Sequence, residues 1–304
     1  MAADTGAGTF NGARLLTAMV TPFNDNLEVD LERAAQLAQR LVDQGNQGLV
    51  VTGTTGESPT LTAAEKLALY ETVLKTVGDR AEVWAGTGNN DTVATVELSK
   101  QAAALGVTGL MLVTPYYNKP TQEGLYRHYA MVAEAVDLPI MLYNVPGRTS
   151  VNLLPATVAR LAEDFPNIQR VKEASGLMDQ VTEILVRAPR LHVYSGDDGN
   201  TLPMMAIGAV GVVSVAGHVV APGIRTMIDA FVAGDTDEAA RLHRHMSPLF
   251  RALFVETNPG PVKAAVKLQG LDVGPLRPPL AEPRDETIAL LRETLAQMGP
   301  AAGN

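Results

Sequence analysis

Eight short apolar runs, each of four to six residues, constrain this chain more than any other feature. They are Leu15–Val20, Gly48–Val51, Val83–Gly86, Gly109–Val113, Ile140–Tyr143, Ile168–Lys172, His192–Ser195 and Gly211–Val215. Each is too short for a helix and too uniformly apolar for a half-exposed strand, so each is predicted to be a parallel strand covered on both faces. Stretches of helical period lie between them. Thr62-Ala63-Ala64-Glu65 reads as a capping box opening a helix with Leu67, Leu69, Tyr70, Val73 and Leu74 on one stripe. Thr92–Leu105 reads as a helix stopped by Gly106, and Leu154–Asp164 as one beginning near Pro155. Strand alternating with helix eight times predicts an α/β protein, the (β/α)8 TIM barrel. The rival, a doubly wound sheet, lacks its Gly-x-Gly-x-x-Gly fingerprint after the first strand. The barrel is expected to close near residue 235. That gives a catalytic barrel over residues 1–235 and a C-terminal helical domain over 236–304, with helical pattern in Asp237–Phe254, Pro261–Gly270 and Asp285–Met298. The tail Gly299–Asn304 reads as frayed.

Composition narrows the chemistry. The 304 residues are 46% hydrophobic, which is ample for a core. Lys and Arg number 24 against 33 Asp and Glu, a formal net charge of −9, which argues against a nucleic-acid partner because a phosphate backbone needs a basic surface. With no cysteine, a thiol nucleophile, an iron–sulfur cluster and Cys-ligated zinc are excluded. Met1–Phe10 has no basic start or apolar run, and no stretch of 18 apolar residues follows, so neither a secretory signal nor a membrane span is expected. Asp197-Asp198, and His243 with His245, are assigned to structure rather than to a metal: neighbours on a strand end point apart, and helical positions i and i+2 do not share a face.

In a barrel of this kind chemistry sits at the carboxyl ends of the strands. Lys172 ends the sixth run, where removal from water favours the neutral, nucleophilic amine. A lysine that snorkels outward or pairs with Glu173 fits the same position. Tyr143 and Tyr117 follow the fifth and fourth runs. A tyrosine hydroxyl both donates and accepts, so it can carry a proton, but ordinary buried tyrosines fit this spacing too. Gly53-Thr54-Thr55-Gly56 offers backbone N–H groups and hydroxyls ahead of a helix, without the lysine of a P-loop, and suits a carboxylate or a hydroxyl relay. Arg148, after Pro146-Gly147, has the forked guanidinium that matches a carboxylate.

Together, Gly53–Ser58, Thr114–Pro120, Tyr143–Thr149 and Val171–Ala174 resemble the motifs of the dihydrodipicolinate synthase family, within the pyruvate-dependent class I aldolases. The resemblance runs from Thr17–Pro22 to Asn258–Lys263. It implies a lyase that joins pyruvate, held as an imine on Lys172, to L-aspartate 4-semialdehyde, followed by cyclisation, on the route to lysine and diaminopimelate. It implies that Tyr143, Thr54 and Tyr117 form a proton relay, with Tyr117 supplied by a neighbouring subunit. Thr55 is implied to hold the pyruvate carboxylate, Arg148 that of the aldehyde, and Gly196 and Val213 to line the pocket through their backbone. A cytoplasmic homotetramer without cofactor or metal is implied as well. Sibling enzymes such as N-acetylneuraminate lyase and keto-sugar-acid aldolases share the lysine and the strand-five tyrosine; Tyr116-Tyr117 and Arg148 favour the synthase. A silent keto-acid sensor and a phosphate-binding barrel enzyme, the latter at Ala216-Gly217-His218, rank below both.

Overall fold

The computed structural model describes residues 10–298; the sequence readings made for residues 1–9 and for Gly299–Asn304 lie outside the described residues. The strands are β1 (Leu15–Ala18), β2 (Gly48–Val51), β3 (Glu82–Gly86), β4 (Gly109–Val113), β5 (Ile140–Asn144), β6 (Ile168–Glu173), β7 (His192–Ser195) and β8 (Gly211–Ser214). They follow one another in chain order around a closed barrel, the (β/α)8 architecture that the alternation predicted. Every residue of β1, β2, β5 and β8 is buried, as expected of strands with helices on one face and packed side chains on the other.

The first apolar run outlasts its strand for a physical reason. Met19 N–H still bonds to the Val50 carbonyl, but Val20 N–H donates to His218 Nε2 at 3.1 Å, so a side chain takes the place of the neighbouring strand. Conversely, β5 and β6 each run one residue past their apolar stretch, to Asn144 and Glu173, because those polar side chains bond each other and groups beyond the strands such as Asn152 and Gln180.

The helices begin and end where side chains satisfy free backbone groups. Asp30, Thr62, Asp91, Thr121 and Asp235 accept from N–H groups in the first turn of the helix that each precedes. The capping box is complete: Glu65 reaches back to Thr62 N–H at 2.8 Å. The buried stripe of that helix, Ala63–Val77, differs from the expected one. It comprises Lys66, Leu69, Tyr70, Val73 and Val77, while Leu67 and Leu74 are only half-buried. Residues 66, 70, 73 and 77 share the inward face, and the aliphatic stem of Lys66 serves there as apolar surface. The C-terminal helices are Thr236–Ala252, Gly260–Leu268 and Asp285–Met298, within two residues of their expected bounds.

Two packing units make up the chain. One is Trp84–Val213 with the segment ending at Arg14; the other is Leu15–Val83 with the chain from Ser214 onward. In the first, the Arg170 guanidinium lies 4.5 Å from the Trp84 ring and 5.5 Å from that of Tyr194, whose hydroxyl donates to the Ala13 carbonyl at 2.6 Å. In the second, Thr17, Asn46 and Gly217 interlock through buried hydrogen bonds. His218 is fully committed there: Nδ1–H donates to the Val215 carbonyl at 2.8 Å, which leaves Nε2 to accept from Val20.

That geometry has a pH signature. Burial pushes His218, and His128 in the other unit, down to about 4. As pH falls from about 6.5 towards 4, the unfolded chain binds protons that the folded one refuses. Stability is therefore complete above about pH 6.5 and declines towards 4, by on the order of 3 kcal/mol for each ring once the folded pKa is reached. The urea midpoint is expected to be lower at pH 5.5 than at pH 7.5, a range in which ordinary carboxylates stay largely ionised. Equal midpoints would show that these rings titrate normally in the fold.

Candidate active site

The register of β5, β6 and β7 places Tyr143 beside Lys172 and Lys172 beside Tyr194. Lys172 is 4% exposed, and its Nζ lies 4.2 Å from the centroid of the Tyr143 ring. The pairing of Lys172 with Glu173 that the sequence left open is not what forms. Side chains alternate along a strand, so the two face opposite ways. The Glu173 carboxylate instead accepts from Asn144 Nδ2 at 3.2 and 3.0 Å, from Gln180 Nε2 at 3.1 Å and from Ser175 N–H at 2.7 Å. Asn152 bonds both amides, and Leu153 N–H closes onto Asn144 Oδ1.

Gly196, just past β7, lies against the lysine stem. A Cβ built there would sit 2.5 Å from Ala174 Cβ, which forces a local shift, and 3.2 Å from both the Glu173 carbonyl oxygen and Lys172 Cε, which crowds the lysine stem. Its own N–H is spent on the Glu173 carbonyl at 2.8 Å. The structure adds one residue that the sequence reading set aside. Burial raises the carboxyl of Asp197 above its ordinary value, and the Lys172 charge opposes that rise. Asp197 therefore lies in the electrostatic field of the lysine, although its adjacency to Asp198 reads as structure. Val213 is buried on β8.

Two further candidates flank β5 and β4. Arg148 sits in the helical turn Pro146–Thr149 and is exposed. Tyr116 is half-buried, and burial raises its hydroxyl pKa. Its neighbour Tyr117 is 88% exposed and adopts φ 73°, a left-handed backbone that a bulky residue adopts only under strain. The structure thus gathers Lys172, Tyr143 and Gly196 and turns Tyr117 out to solvent.

The other packing unit carries the threonines. Thr54 is half-buried and Thr55 buried, on the loop after β2. Non-glycine residues with left-handed backbones stand on either side, Thr52 at φ 57° and Glu57 at φ 56°. Thr52 Oγ1 is 2.7 Å from the Tyr70 hydroxyl. Glu57 pairs with Lys263 at 2.6 Å, with both side chains buried, and accepts from Arg277 N–H at 2.9 Å. Stranding one member of such a pair costs about 3–5 kcal/mol. No part of this clamp was found by sequence reasoning, since its members lie over 200 residues apart.

Among the described residues no group of three or more histidines and carboxylates is disposed to hold a metal, and no helix is long and apolar enough to cross a membrane. What the fold and site define is a (β/α)8 barrel that sequesters a lysine amine at the end of its sixth strand. Residues 11–298 match the model of the dihydrodipicolinate synthetase family, and the chain belongs to that family. A 4-hydroxy-tetrahydrodipicolinate synthase from Heliobacterium modesticaldum is 58% identical over 287 residues, covering 94% of this chain and 95% of that one. The crystal structure of a dihydrodipicolinate synthase from Bacillus anthracis superposes with a TM-score of 0.91 at 46% identity, over 95% of this chain and 99% of that one. One from Aquifex aeolicus gives 0.93 at 42% identity, over 96% and 100%.

The Gly196 contact yields an expected outcome. Gly196→Ala should lower kcat by about tenfold or more if the Lys172 amine reacts, because the added methyl crowds its stem as well as Ala174. Unchanged turnover would show that the lysine stem does not need this space.

Proposed function

We propose that this chain is a lyase that condenses pyruvate with L-aspartate 4-semialdehyde, the activity for which its relatives are named. The observation that carries the reading is the sequestered Lys172 amine against the Tyr143 ring, with Gly196 leaving it room. The neutral amine adds to the pyruvate ketone and expels water, giving an imine. Loss of a methyl proton gives the enamine, whose carbon forms a bond to the aldehyde carbon while the aldehyde oxygen takes up a proton. The amino group of the adduct then attacks the imine carbon, closes the ring and releases Lys172. Tyr143, Thr54 and Tyr117 relay the protons. Thr55 binds the pyruvate carboxylate and Arg148 that of the aldehyde, while Gly196 and Val213 line the pocket. The chemistry calls for no cofactor, because the protonated imine is itself the electron sink. The catalytic barrel is assigned to residues 1–235, which contain all eight strands, and the helical domain to 236–304. The protein works in the cytoplasm as a homotetramer, on the route to lysine and diaminopimelate.

Tyr117 supports the shared site. Its backbone strain costs free energy, yet its ring is left in water by its own chain. Strain of that kind persists where the surroundings make use of it, and a second subunit supplies such surroundings.

Treatment with pyruvate and borohydride should add a reduced pyruvyl group to the peptide carrying Lys172, read by mass spectrometry. Label on another lysine overturns the assignment. For Tyr117, mixing inactive Tyr117→Phe with inactive Lys172→Ala subunits should regenerate activity, since some hybrid sites receive both intact residues. Proven subunit exchange without any recovery would rule out a site shared between subunits.

A further inference from the structure

The loop that carries Thr55 receives a contact from the far end of the chain. Asn258 Nδ2 donates to Thr55 Oγ1 at 2.9 Å, and both side chains are buried. We infer that Asn258 is a positioning residue that sets the direction in which Thr55 donates its proton; the inference rests on the reading that Thr55 binds the pyruvate carboxylate.

The chemistry is directional. An amide nitrogen only donates, so it occupies an acceptor position of the threonine oxygen. The hydroxyl proton must then point elsewhere, and Thr55 becomes a donor. A carboxylate only accepts, so a hydroxyl fixed as donor is complementary to it. Without the amide, the same hydroxyl is free to rotate and spend its proton on a backbone carbonyl.

Asn258 is itself held in place. Two residues on begins the helix Gly260–Leu268, and its Lys263 forms the buried pair with Glu57 and donates to the Pro275 carbonyl at 2.8 Å. Glu57 lies two residues beyond Thr55, so one short stretch of the C-terminal chain grips the loop twice. Gly56 makes the grip possible: a Cβ there would come within 2.9 Å of Thr52 Cα, inside van der Waals contact with backbone. The loop is thus fixed at Thr52 by Tyr70, at Glu57 by Lys263 and Arg277, and at its middle by Asn258.

The test is a double-mutant cycle read by borohydride trapping, which reports pyruvate capture without the second substrate. Asn258→Ala should raise the pyruvate concentration for half-maximal trapping by about tenfold, as expected for loss of one charge-assisted hydrogen bond. It should leave KM for the aldehyde unchanged. Thr55→Val should produce a similar or larger rise, and adding Asn258→Ala to it should change nothing further, because the amide acts only through that hydroxyl. Effects that multiply in the double variant, or a wild-type pyruvate dependence in Asn258→Ala, overturn the inference. A wild-type dependence in Thr55→Val overturns the carboxylate assignment, and the inference with it. Asn258→Asp, of the same size, guards against misfolding of the alanine variant. Its carboxylate accepts the Thr55 proton, so half-saturation should rise at least as far; a wild-type value there also overturns the inference.

Discussion

The hydrogen bonds converging on Glu173 hold the ends of β5 and β6 together, and the position of the lysine amine depends on them. The carboxylate is buried and is satisfied by amide and backbone N–H groups, so its geometry is set by directional bonds rather than by a mobile counter-ion. Asn144 comes from the residue after Tyr143, and Glu173 is the residue after Lys172. Fixing those two outward-facing side chains against each other therefore fixes the two inward-facing ones. The amine can be stripped of water without losing its place because the strand that bears it is locked from the opposite face.

Strain is distributed unevenly around the barrel mouth. On the β2 side, Thr52 and Glu57 adopt left-handed backbones, and each has a buried polar anchor within the chain. On the β4 side, Tyr117 shares the backbone conformation without a comparable anchor. Beside it, Asn118 Nδ2 donates to the Asn90 carbonyl at 2.8 Å. The first loop is held by buried contacts within its own chain, and the second leaves the Tyr117 ring in solvent.

Much of the fold was legible because burial on both faces forces apolar runs, and those runs locate strands without knowledge of their partners. The helix starts were legible for a similar reason: caps such as Thr62 with Glu65 act over three residues. What escaped was whatever depends on distance through space. The strand β1 stops early because of His218, the helix Ala63–Val77 buries Lys66, and Asp197 enters the field of Lys172, yet none of these leaves a local pattern. Among the candidate residues, Lys172, Tyr143 and the Thr54-Thr55 loop stood out through position at or after a strand end. Asn258 and Lys263 stood at the far end of the resemblance, Lys263 within an expected helix, but their contacts could not be read, because their partners are met after the chain has traversed the barrel.

The clamp on the Thr55 loop also bears on how the protein comes into being. Thr55 and Asn258 are separated by 203 residues, and Glu57 and Arg277 by 220. During synthesis, β2 and its loop emerge early, whereas the residues that fix the loop emerge among the last. A nascent chain can bury much of its hydrophobic surface while this loop still lacks its final shape. The order of the sequence thus makes chain completion a checkpoint: a truncated product ending before Asn258 contains Lys172 and Thr55 but lacks the side chains that fix the Thr55 loop.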